Sequence, residues 1–376
     1  MRELVGRLVR LDGDVEYTLF VDFEEASAPP LPAGIRTVRV ATAVPAERAA
    51  AAAGNRSPAD LWAASRTMSR CRLDVVLFPS LHTYTPVLGG AEIAVVVHDV
   101  IPELFPERVF PTARARLFWQ MKSWAARRQA DLIITVSEAS KRAMIQCFGL
   151  DDNQVAVAPE AAGPSFRQVP RDEKYRETLE RWRLHDDRFI LYVGGFSPHK
   201  NLETLIDAFG GLSKDKRWSA YTLVLAGDYE GDVFYSCHRD LRARIERSGL
   251  GANVVFTGYV SDELLVHLYN AAAVVVMPSL WEGFGLPALE AMACGTPVIA
   301  SARGALPEIV GETGLLVDVE QPSPLQSALE RLLADDAARE RLGQAARERA
   351  STFSWDRTAA VVGASLKALA TARPAR

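Results

Sequence analysis

The 376-residue sequence predicts an α/β chain of two doubly wound, Rossmann-like domains facing a cleft. Three observations predict it. Short runs rich in Val, Ile and Leu recur along the whole length, helical patterns separate most of them, and a polar stretch from about Pro164 to Asp187 divides the runs into two sets. The length itself is too great for one ordinary α/β unit and suits two.

The chain opens on Leu4, Val5, Leu8 and Leu11 at helical spacing, so a helix is expected first. The first set of strands is Val15–Asp22, Ile35–Ala41, Asp74–Ser80, Ile93–Asp99, Asp131–Ser137 and Gln154–Pro159. The second set is Arg188–Gly194, Tyr221–Gly227, Asn253–Gly258, Ala273–Ser279, Thr296–Ser301 and Thr313–Asp318. Near-continuous apolar runs mark strands buried on both faces, as in parallel sheets, rather than alternating edge strands. Between the sets, the Glu-, Arg- and Lys-rich Pro170–Arg183 is the best linker candidate, although its composition also allows a helix. The chain closes with a helix whose apolar face is Trp355, Ala359, Val362 and Leu366, and then a loose tail from Ala370. The domains expected are 1–165, a linker at 166–187, 188–353, and a final helix with tail over 354–376 that crosses back to the first domain. The alanine-rich Ala46–Ala53 carries no signal.

Apolar residues make up 48% and charged residues 24%, proportions that allow two buried cores and exclude general disorder. The net charge of −4 gives no global field to recruit nucleic acid, which is not expected as a partner. Cys71, Cys147, Cys237 and Cys294 lie far apart with no secretory leader before them, so core thiols in a reducing cytoplasm are expected. The longest apolar runs, such as Ala271–Met277, fall well short of the roughly 20 residues that span a bilayer.

The richest segment runs from Met277 through Trp281-Glu-Gly-Phe-Gly-Leu-Pro287 to Gly295-Thr-Pro297, and reads strand, glycine loop, helix, strand. Pro287 suits a first helical turn, and Gly295 with Pro297 stops the helix, which should run from about Leu286 to Cys294. Gly283 and Gly285 let the N–H groups around Phe284 and Leu286 approach a ligand, and the helix dipole there favours negative charge, so a diphosphate is the natural occupant. Glu282 and Glu290 bracket that terminus. Carboxylates repel phosphates, so these two should accept hydrogen bonds from neutral hydroxyls, a sugar on one side and a ribose on the other.

A second constellation, Tyr192-Val-Gly-Gly-Phe-Ser-Pro-His-Lys-Asn201, opens from a strand end through Gly194 and Gly195 into a helix. Lys200 there can reach a phosphate as a point charge. A third is Val97-His-Asp99, where a histidine at a strand's carboxyl end can point into a cleft and Asp99 can cap the next segment. The loop Thr257-Gly-Tyr-Val-Ser-Asp-Glu263 completes the set.

With these motifs the sequence resembles glycosyltransferase family 4, from Asp12 to Leu366, and most of all its bacterial polysaccharide mannosyltransferase-type members. The resemblance implies the GT-B fold, an N-terminal acceptor domain and a C-terminal donor domain. It implies that Glu282 faces the transferred sugar, Glu290 holds the ribose hydroxyls, Lys200 meets the donor diphosphate, and His98 contacts donor sugar or acceptor. Backbone around Gly258 and Val260 would lie beside the base. His98, Glu282 and Lys200 are therefore the catalytic candidates. Gly194, Gly195, Gly258, Val260, Gly283, Phe284, Gly285, Leu286 and Glu290 join Lys200 and Glu282 in binding the donor. The implied function is retaining transfer of mannose or a similar hexose from a nucleotide diphosphate sugar to a glycan or lipid-linked acceptor. No cofactor and no metal are expected, because lysine and helix terminus supply the positive charge and no Asp-x-Asp or His/Cys cluster has ligand spacing.

Two departures accompany the resemblance. Many family members place an arginine where this chain has Gly195, which removes one cation from the leaving group. Members also precede the opening helix with a strand and a glycine-rich loop, so the N-terminal domain is expected to lack its first strand. A non-catalytic nucleotide-sugar binding protein and a nucleotide-sugar epimerase of similar fold are the competing readings. The stretch Arg108–Arg128 carries six basic residues and no acidic one, interleaved with Phe110, Phe118, Trp119 and Trp124. Such a helix can lie on the inner face of an anionic plasma membrane, where it would suit a lipid-linked acceptor, or can turn its aromatics into the core.

Overall fold

The computed structural model describes residues 2–11, 13–22, 35–42, 57–229 and 236–372; Ala46–Ala53 lies outside them. The chain divides into two compact units. Unit 1 comprises Met1–Glu103, Phe110–Glu160 and Trp355–Arg376, and unit 2 comprises Leu104–Val109 and Ala161–Ser354.

Unit 1 begins, among the described residues, with helix α1 (Arg2–Leu11), as the leucine spacing predicts. Strands β1 (Thr18–Val21) and β2 (Arg36–Arg39) form a separate parallel pair, in which Thr18 lies opposite Arg36. The β2 side chains are largely exposed, so this run differs from the buried strand expected of it. Helix α2 (Pro58–Arg70) leads to a four-stranded parallel sheet of β3 (Val75–Phe78), β4 (Glu92–Val96), β5 (Leu132–Thr135) and β6 (Val155–Val157), ordered as in sequence. The short helix α3 (Ile101–Leu104) comes after β4; a second short helix, α4 (Pro106–Val109), belongs to unit 2. The long helix α5 (Ala113–Gln129) precedes β5, and α6 (Glu138–Phe148) precedes β6. Ser137 caps α6 by accepting from the Ser140 N–H, and Gly149 ends it in the left-handed conformation.

The final helix, α15 (Trp355–Thr371), groups with unit 1. Leu4 and Leu8 of α1 and Ala359 and Val362 of α15 are buried in one cluster with Ala94 and Val96 of β4, while Trp355 and Leu366 pack against it half-buried. Spacing of three or four residues puts each apolar set on one helical face, and the facing stripes exclude water together. Arg7 adds a 2.9 Å bond to Asp356 at the rim.

Unit 2 continues with α7 (Glu173–Arg181), β7 (Phe189–Val193), α8 (Leu202–Leu212), β8 (Thr222–Ala226), α9 (His238–Arg247), β9 (Val254–Gly258), α10 (Asp262–Ala271) and β10 (Val274–Met277). It then adds α11 (Leu286–Ala293), β11 (Val298–Ser301), α12 (Leu306–Val310), β12 (Leu315–Val317), α13 (Pro322–Leu333) and α14 (Asp336–Ala350). The six strands form one parallel sheet in the order β12-β11-β10-β7-β8-β9, sandwiched by helices. Its centre is dry: Ile190, Tyr192, Leu223, Leu225, Val274 and Val276 are buried in the same cluster as Leu205, Phe209, Leu325 and Leu329 of α8 and α13. The strand order reverses between β10 and β7, and such a switch point opens a crevice beyond the carboxyl ends of those two strands.

Three expectations are revised. Residues 166–187, read as a linker, lie within unit 2. There α7 buries Tyr175, Thr178 and Leu179 on one face, with the Tyr175 ring edge-on to His267 of α10 and its hydroxyl donating to Asp186 at 2.6 Å. Cys147 is exposed and Cys71 half-buried, so only Cys237 and Cys294 are the core thiols expected. In α5, Trp119 packs inward, donating to Glu103 at 2.9 Å, whereas Leu117, Phe118, Met121 and Trp124 stand exposed.

Candidate active site

The loops leaving β7 and β10 carry the two richest motifs, and these strands are neighbours, with Ile190 opposite Val274. Side chains more than eighty positions apart in sequence therefore meet at the switch point. Lys200, at the end of a short 3-10 turn over Pro198–Lys200, donates to both oxygens of Glu282, at 2.8 Å to Oε1 and 3.0 Å to Oε2. Ser279 Oγ, fully buried, donates to Oε1 at 2.6 Å. Burial alone would raise the Glu282 pKa, but the Lys200 charge and these hydrogen bonds outweigh it and leave the carboxyl below its ordinary range.

The two loops are stitched together. The Leu280 N–H donates to the His199 carbonyl at 2.9 Å, and the Asn201 side-chain amide donates to the carbonyls of Pro278 at 3.1 Å and Val319 at 2.9 Å. Asn201 itself sits at a φ of 57° and accepts from Thr204, so its side chain replaces a backbone turn. His199 beside it is driven down to about 4 by burial, then by the Lys200 and Arg108 charges, against the opposing pull of Glu282. The Arg108 guanidinium of α4, within unit 2, donates to the Pro198 carbonyl at 3.3 Å.

Helix α11 starts where the sequence places it, with Pro287 in its first turn and no side chain capping it. Its N-cap, Gly285, has a φ of 102°, and a Cβ there would stand 2.7 Å from Leu306 Cδ2, so glycine is required on both counts. The loop is backed by Gly304, where a Cβ would meet the Glu282 carbonyl at 2.7 Å, and by the Ala305 N–H donating to that carbonyl at 3.0 Å. The Phe284 ring is buried edge-on to Phe353, which leaves this residue's backbone as its contribution. An uncapped helix terminus with an ammonium beside it is a site for an anion.

Glu290 lies inside α11 and is 9% exposed. The Tyr269 hydroxyl of α10, fully buried, donates to its Oε2 at 3.0 Å. The remaining candidates frame the same end of the sheet. Tyr192 Oη donates to the Gly195 carbonyl at 2.7 Å, Gly194 pairs its N–H with Ala226, and the Gly258 carbonyl accepts from Gly227. Val260 is buried behind the exposed Tyr259.

His98 belongs to unit 1 and lies just beyond β4; its carbonyl accepts from Ser140 Oγ at 3.0 Å, and its Nε2 lies 3.9 Å from Glu160 Oε1. Burial lowers its pKa, and the Glu160 carboxylate offsets this only in part. Asp99 caps the next helix, accepting from the Ile101 N–H at 2.9 Å. The structure thus brings Lys200 and Glu282 together in unit 2, with Glu290 about one turn into α11, and places His98 in the other unit. Ser279 and Asn201 lie inside the sequence motifs as ordinary polar residues, and nothing local singles out Tyr269. Among the described residues no group of three His, Cys, Asp or Glu side chains could hold a metal ion.

Two parallel-sheet Rossmann-like units, with a lysine loop and a glutamate–glycine loop on adjacent strands of the second, define the class of GT-B glycosyltransferases. Residues 1–162 match the family described as Glycosyltransferase Family 4 and residues 175–349 the family described as Glycosyl transferases group 1. The chain belongs to glycosyltransferase family 4. It is 32% identical over 262 residues to O-antigen chain mannosyltransferase B of Escherichia coli, covering 69% of this chain and 66% of that relative, just under two thirds of its length. Among solved structures, sucrose-phosphate synthase from Thermosynechococcus elongatus superposes with a TM-score of 0.75 at 24% identity, over 98% of this chain and 92% of that one. HepE of Anabaena, in complex with UDP and glucose, superposes with a TM-score of 0.64 at 22% identity, over 83% and 77%.

Proposed function

We propose that the chain is a retaining glycosyltransferase that moves mannose or a similar hexose from a nucleotide diphosphate sugar to a glycan or lipid-linked acceptor in polysaccharide synthesis. One observation carries the reading: Lys200 and Glu282, from loops leaving adjacent strands, touch beside an uncapped helix terminus. The diphosphate docks on the N–H groups near Gly285 and on Lys200, which stabilise the negative charge that grows as the bond to the anomeric carbon breaks. The acceptor hydroxyl oxygen bonds to that carbon on the same face, and its proton passes to the departing diphosphate. Glu282 holds hydroxyls of the transferred sugar, Glu290 those of the ribose, and His98 contacts donor sugar or acceptor. The lysine and the helix terminus supply the positive charge, and we propose that no metal takes part. The relatedness to a mannosyltransferase supports the hexose, and the UDP-bound HepE supports a nucleotide sugar as donor.

Titration with UDP-, GDP- and ADP-sugars, read for both binding and transfer to glycan acceptors, tests this. One donor is expected to bind and to be consumed only when acceptor is present, with the product keeping the donor's anomeric configuration by NMR. Binding without transfer would leave a binding protein, and an epimerised sugar an epimerase.

We also propose that the protein docks peripherally on an anionic membrane, which would deliver a lipid-linked acceptor. Among the described residues no helix is long and apolar enough to cross a membrane. Helix α5 instead exposes Leu117, Phe118, Met121 and Trp124 along one face, with Arg114 and Arg128 exposed at its two ends and no acid in its seventeen residues. The protein is expected to co-sediment with phosphatidylglycerol vesicles but not with phosphatidylcholine, to release with rising salt, and to lose binding on Met121→Ser with Trp124→Ser. Equal pelleting with both vesicles, or none, would end the proposal.

A further inference from the structure

The tyrosine at position 269 has no place in the mechanism above, yet it holds Glu290 from another helix. Its ring is fully buried and meets Phe166 edge-on at 5.7 Å between centroids. Its carbonyl is fixed as well, accepting from Thr296 Oγ1 at 2.5 Å, so the end of α10 is tied to the turn after α11. A phenol locked at both ends has one hydrogen to give, and it points that hydrogen at Glu290 Oε2 from 3.0 Å. A carboxylate on an α-helix otherwise has three side-chain torsions to settle, and a buried one that drifts loses the geometry needed to accept from two adjacent hydroxyls. The neighbouring Cys294 thiol is the weaker donor: burial and then the Glu290 charge push its pKa to about 12, so it stays a neutral S–H.

We infer that Tyr269 is a positioning residue that fixes the Glu290 carboxylate for the vicinal hydroxyls of the donor's ribose, and so sets the preference for ribonucleotides over deoxyribonucleotides. The inference rests on the ribose role proposed for Glu290. Removing only the phenolic oxygen, in Tyr269→Phe, keeps the ring against Phe166 and takes this one donor away from Glu290 Oε2. A 2′-deoxynucleotide offers one hydroxyl fewer, so the loss should fall on the ribonucleotide and spare its deoxy counterpart.

The test uses the full chain. Whichever of UDP, GDP and ADP binds is titrated calorimetrically beside its 2′-deoxy form, in the parent protein, Tyr269→Phe and Glu290→Ala. Tyr269→Phe is expected to weaken the ribonucleotide about tenfold, the size of one charge-assisted hydrogen bond, and to collapse the ribo-to-deoxy ratio toward one. With the sugar donor, KM should rise while kcat stays nearly constant. A variant that melts lower but keeps the ratio would show a merely structural tyrosine and overturn the inference. If Glu290→Ala collapses the ratio and Tyr269→Phe does not, the inference alone fails. If Glu290→Ala also keeps it, the ribose role of Glu290 fails and takes the inference with it.

Discussion

Lys200→Ala is expected to lower kcat/KM by about 10²- to 10³-fold, the loss seen when one fixed stabiliser of developing negative charge is removed. The position leaves little room for rescue. The ammonium contacts both Glu282 oxygens, while the Arg108 guanidinium is engaged with the Pro198 carbonyl. Lys200→Arg should recover only part of the rate, because a planar fork cannot reproduce a point charge in a loop stitched this tightly. The substitution also strands a buried carboxylate, and breaking such a pair from one side costs about 3 kcal/mol or more of stability. That cost has a defined pH dependence. The folded Glu282 pKa is depressed, so the stability it contributes is present above the ordinary carboxylate value and is lost as pH falls through the folded one. Thermal melts of parent and variant should therefore converge in acid and diverge at neutral pH. Parallel melting curves at every pH, with turnover unchanged, would remove Lys200 from the site.

Glu282→Ala is expected to lower kcat by about 10²-fold while leaving nucleoside diphosphate affinity intact or improved. On the proposed assignment the carboxylate, which the structure pairs with Lys200, would compete with the phosphates for it, so deleting it would release the ammonium to the leaving group even as the sugar loses its anchor. Product inhibition by the diphosphate should strengthen accordingly. Glu282→Gln separates the two effects, since the amide keeps the shape but not the charge. A variant with parental kcat and weakened diphosphate binding would reverse the assignments of Glu282 and Lys200.

Much of the fold is legible in the sequence, for physical reasons that particular segments illustrate. The twelve strands among the described residues fall on the predicted runs, with β4 beginning one residue early at Glu92; the central ones do so because a parallel strand covered by helices on both faces is a nearly unbroken apolar word, whereas the exposed β2 has no such cover. The α11 start is legible because proline, glycine and a stop signal constrain backbone torsion locally. The features that stay hidden depend on distance or on cover. Residues 173–181 read as a charged linker because only three of their side chains are buried, too few to dominate composition. The α5 periodicity shows which residues share a face but not whether anything lies over that face, and Leu117, Met121 and Trp124 turn out to be uncovered. Tyr269 occupies an unremarkable helical position, and only the packing of α10 on α11 reveals its carboxylate partner.

The amide of Asn201 has a mechanical consequence. Because it spans from the loop after β7 to carbonyls at Pro278 and Val319, prising the β7 loop outward shears two bonds at once. The pocket consequently behaves as a single bracket without a pivot. On the proposed assignment, what yields when a different hexose is offered has to be the side chains around the sugar, and altered sugar preference should be reached by changing those rather than by loosening the frame.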